Sequence, residues 1–122
     1  MSEAELETLT ARAARAERHA RVLAEGGVRI VAGSDWQDRP GALHGEIASL
    51  VSAGLSPREA LLAATRDAAD VLRLGEDLGR IRAGYVADLL LLDADPLEDV
   101  GNTRRIHMVI QGGRIVGGRS RD

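Results

Sequence analysis

A chain of 122 residues has room for one domain or for a piece of a larger one, and a net charge of -3 gives no basis for binding a polyanion. All sixteen basic residues are arginine, which excludes Schiff bases, P-loops and carbamylated lysines, and the absence of cysteine excludes disulfides, thiolate nucleophiles and Cys-type zinc sites. The opening MSEAELETL is acidic and no run approaches the ~18 apolar residues of a membrane span, so a cytoplasmic protein with no membrane or nucleic-acid partner is expected.

Leu6, Leu9, Ala13, Ala16, Ala20 and Leu23 recur at steps of three and four, which predicts a helix from Glu3 to Glu25 with one apolar face. Gly26 and Gly27 end it, because glycine readily takes the left-handed conformation that follows a helix. Val28 to Ala32 is short, apolar and β-branched, the pattern of a strand buried on both faces, and a helix leading into such a strand suggests a parallel sheet.

A second helix begins near Ala42 and carries Leu43, Ile47, Leu50 and Val51 before Gly54 stops it. In LSPREALLAAT, Ser56 is the N-cap, Pro57 takes the first helical position and Glu59 completes a capping box, with Leu55 placed to staple against Ala60. A further helical segment, Asp67 to Leu72, follows through Thr65. Beyond Gly75 the pattern changes to short strands. Leu89 to Leu92 reads as a buried strand whose four leucines would contribute on the order of 6–12 kcal/mol before entropy is counted. The Gly-Gly of QGGR suits the turn of a hairpin joining two further strands. The chain is therefore expected to divide near residue 75, into an α/β part at 1–75 and a β part at 76–122.

The order of four segments, GVRIVAGSD, LHGEIASLVSAGLSPREALLAAT, GRIRAGYVADLLLLDADPLEDV and VIQGGRIV, resembles the closing portion of the metal-dependent amidohydrolase superfamily, notably its prolidase-like and imidazolonepropionase-like members. The resemblance implies an α/β fold: the last β/α unit or units of a (β/α)8 barrel, followed by C-terminal strands of an accessory β-sandwich assembled from both chain ends. Val28 to Ala32 would be the last barrel strand, with Asp35 at its C-terminal end. The family uses that aspartate as a metal ligand and as the catalytic acid/base that takes a proton from metal-bound water, the metal being zinc or a similar divalent ion. Two departures stand out: the family often has Asn where Asp67 stands and Lys where Tyr85 stands, both at positions that look structural.

Read without the family, Asp35 is a turn residue after Gly33-Ser34. In the loop after the strand, Arg39 is placed to clamp a substrate carboxylate and Trp36 to wall a pocket, and Asp38 lies between them; the plain alternative is a surface loop. His44, in LHGE, is the third candidate for substrate binding, against the alternative of an ordinary histidine at a helix start, and its spacing to Glu46 makes the two a poor metal pair. His19 is expected to be partly exposed among arginines, and His107 to face solvent from a strand. Asp88, Asp93 and Asp95 lack EF-hand spacing; Asp88 is expected to order the start of a strand and DADP to form a turn.

The His-x-His pair, bridging ligand and later histidines that the resemblance implies have no counterpart among His19, His44 and His107. One aspartate does not make a catalytic metal site, which takes three protein ligands. The chain alone is thus expected to be inactive and to bind no metal. It reads as a truncated product, a remnant or part of a split enzyme, one that needs a complementary barrel polypeptide before it takes a small amide substrate. Open strand edges also predict self-association. The competing reading is a non-enzymatic, oligomeric α/β module in which Asp35 has no chemical duty.

Overall fold

The computed structural model describes residues 2–35 and 40–118. Helix α1 spans Glu3–Glu25, α2 Ala42–Ser52, α3 Pro57–Ala63 and α4 Arg66–Val71. Strands β1 (Leu89–Leu92), β2 (Ile106–Gln111) and β3 (Arg114–Gly118) form an antiparallel sheet in the order β1-β2-β3, with a 3-10 helix at Val100–Arg104 between the first two. Among the described residues no helix is long and apolar enough to cross a membrane.

The local signals account for the helices. Ser2 and Glu5 form a capping box at the start of α1, and Ser56 and Glu59 form another at α3 with Pro57 in the first turn. The core lies among the short helices: Ile47 and Leu50 of α2, Leu55 of the connecting turn and Ala60 and Ala63 of α3 are buried together, with Ala24, Ile30, Ala32 and Val100 packed around them.

Two ties hold the strand segment to the helices. The Arg80 guanidinium donates to both carboxylate oxygens of Asp70 at 3.0 and 2.9 Å, and to the Gly75 carbonyl at 2.8 Å. The Tyr85 hydroxyl donates to that same carbonyl at 3.0 Å. Gly79 adds a close approach: with φ of 82°, a Cβ there would sit 2.7 Å from the Ala69 methyl and 2.9 Å from the Thr65 carbonyl. Asp67, the other departure from the family pattern, accepts from the neighbouring Arg66 at 2.7 Å. Both departures thus have local structural duties.

Several expectations are corrected. Val28 to Ala32 is not a strand in this chain, and it is not buried on both faces: Val28 and Val31 are exposed, Ile30 and Ala32 half-buried. A strand exists through its ladder, and the backbone bonds found here run to helices, from Val28 N–H to Leu23 and from Ala32 N–H to Ala63 at 3.0 Å. The sheet that does form is antiparallel and lies beyond residue 88. The four leucines of β1 are only half covered, Leu90 and Leu91 being exposed. The apolar face of α1 likewise buries no residue.

These open faces add up. The chain exposes 9229 Å², whereas a compact monomer of this size would expose roughly 6,300 Å². Leu6, Leu9, Val22 and Leu23 of α1, Val28 and Val31 after it, and Leu90 and Leu91 of β1 are among the apolar residues that contribute to this surface.

Candidate functional site

Asp35 follows the apolar segment Val28–Ser34 at a bend. Its φ of 48° puts a non-glycine residue in the left-handed region, which aspartate tolerates better than most side chains. The carboxylate is exposed. Upstream, the Ala32 hydrogen bond to the end of α3 fixes where the segment leaves the core. Asp35 is thus an exposed residue just beyond a segment tied to the core.

Trp36, Asp38 and Arg39 lie outside the described residues. His44 is in the first turn of α2, half-buried, with its Nδ1 enclosed and without a hydrogen-bond partner among the described residues. Burial, and secondarily the nearby Arg104 guanidinium, lower its pKa below the usual histidine value, so the neutral ring is favoured. Arg104 lies along that first turn. A Cβ on Gly41 would come within 3.0 Å of its Nη1 and one on Gly45 within 3.8 Å of its Nη2; Gly41, with φ of 78°, gives both the turn and the space.

His44 also lines a cleft of about 450 Å³ between the helices and β1, whose walls include Leu43, Ile47, Leu61, Val86 and Leu90. Asp35 is not among the residues lining that cleft. The structure therefore brings His44 to Arg104 and an apolar cleft, and does not bring it to Asp35. Neither Arg104 nor the cleft was legible in the sequence, because the contact joins the first turn of α2 to the far-off 3-10 helix with no motif linking them.

The remaining candidates have structural partners. Asp88 accepts the Gly112 N–H at 2.7 Å, steadying the hairpin turn against the start of β1, and Asp95 accepts the Leu97 N–H at 2.7 Å in a turn. His19 is exposed on α1. His107 does not simply face solvent: it is half-buried, with Nδ1 3.0 Å from Asp93 Oδ1. The cause is a bulge. Leu91 pairs with Met108 and Leu92 with Ile106, which leaves His107 as the extra residue and re-aims its ring.

Among the described residues no three histidine or carboxylate side chains gather where they would hold a metal ion. A catalytic divalent ion takes three protein ligands, and Asp35 offers one. The donor set described here does not by itself fit such an ion.

The sequence model of the Amidohydrolase family matches residues 9–116. The chain belongs to the amidohydrolase family. Over 41 residues it is 66% identical to imidazolonepropionase of Rubrobacter xylanophilus, a stretch that is 34% of this chain and 10% of that protein. It superposes on a Xaa-Pro dipeptidase crystallised with methionine in its active site with a TM-score of 0.77 and 29% identity, covering 84% of this chain and 25% of the dipeptidase. Phenylurea hydrolase B gives a TM-score of 0.69 at 32% identity, over 80% of this chain and 26% of that one. The solved relatives are amidohydrolase barrels, and the helices and small antiparallel sheet seen here correspond to a C-terminal portion of that amidohydrolase fold.

Proposed function

We propose that this chain is the closing segment of a metal-dependent amidohydrolase that cleaves C–N bonds of amides or cyclic amides, and that Asp35 is its acid/base. In this reading the Asp35 carboxylate accepts a proton from the attacking water as the water oxygen bonds to the carbonyl carbon, and returns it to the nitrogen as the C–N bond breaks. The divalent ion, zinc or similar, and its other ligands belong to the rest of the fold. Trp36, Arg39 and His44 contribute to the substrate pocket. Alone, the chain is inactive.

The observation that carries the reading is the family match running through residues 9–116, combined with the exposure of Asp35 just beyond a segment tied to the core. A chimera tests it. Residues 9–116 replace the corresponding last quarter of the Xaa-Pro dipeptidase, and hydrolysis of dipeptides and N-acyl amides is measured. Activity in the chimera, lost by about 10²–10⁴-fold on Asp35→Asn when the rate is compared per bound metal ion, is the expected result. A folded, metal-loaded chimera whose rate ignores Asp35→Asn sinks the proposal.

The second reading, a non-enzymatic oligomeric module, is favoured by one observation, the surface left open by the helices and the sheet. It is separated from the first by the chimera, since it predicts no hydrolysis there.

A further inference from the structure

We draw no further inference here: the strongest candidate, the apolar cleft between the helices and β1 that His44 lines, belongs to a fold of which this chain spans about a quarter, and nothing in the structure shows what covers it.

Discussion

Helices α1 and α3 begin with the same device and end in opposite circumstances. Ser2 with Glu5 and Ser56 with Glu59 each form a reciprocal capping box, and in each the hydrogen bonds to serine hold the glutamate below the usual carboxylate pKa. Yet the 23-residue α1 buries nothing, while the seven-residue α3 places Ala60 and Ala63 at the centre of the core. Local grammar thus fixes where a helix starts. It does not say what the helix packs against, and burial is decided by which neighbours the polypeptide contains.

The comparison is broken most directly by removing side chains from each region. Leu50 of α2 is 6% exposed and packs in the same core as α3. Leu50→Ala should cost about 2–5 kcal/mol, enough to leave so lightly cored a chain largely unfolded at room temperature. Val22→Ala, on α1 at a residue 65% exposed, should change stability by less than about 0.5 kcal/mol. Urea midpoints of the two variants check the contrast, and equal losses would show that α1 is as firmly integrated as the short helices.

The same division explains how much of the molecule was legible in advance. The bounds of α1, the cap and proline of α3, and the glycine hairpin between β2 and β3 are written in contiguous residues, and the structure reproduces them. Val28 to Ala32 has the composition of a buried strand, but a strand also needs partners, and the amidohydrolase relatives extend over a fold of which this chain spans about a quarter. His107 was misplaced for a different reason. Alternation predicts which way a strand residue faces only while the register holds, and the bulge between Leu91 and Leu92 breaks it. Asp35 was singled out by the resemblance of GVRIVAGSD to the family pattern, and its chemical role is a proposal, whereas the Arg104 guanidinium beside His44 depends on a tertiary contact that neither residue's neighbours encode.

A smaller effect sharpens the view of the two capping boxes. Ser56→Ala removes the acceptor for the Glu59 N–H, bonded at 3.2 Å, at the head of a helix that belongs to the core. The melting midpoint should fall by roughly 4 °C. Ser2→Ala removes the equivalent bond to Glu5, 3.3 Å long, from a helix outside the core. That variant should lose helical signal at the start of α1 while the cooperative transition stays in place. Calorimetry and circular dichroism on the two variants separate the outcomes, and a matching drop in both midpoints would mean that α1 melts with the core.

The least of the expected effects concerns His44, which connects the two parts of the chain through Arg104. Its pKa is lowered in the folded protein, first by burial and then by the guanidinium, so the unfolded chain binds a proton more readily than the folded one. Stability from this residue is therefore complete above the ordinary histidine pKa of 6.5, and is lost as pH falls through that value toward the lower folded one. Much of the ring region remains open to solvent, which keeps the effect small. His44→Gln should flatten the dependence of the melting midpoint on acidification below that value, and Arg104→Ala should reduce it in part by removing the secondary cause. A steeper loss in His44→Gln than in the natural chain would reverse the sign and place the charged ring in the fold.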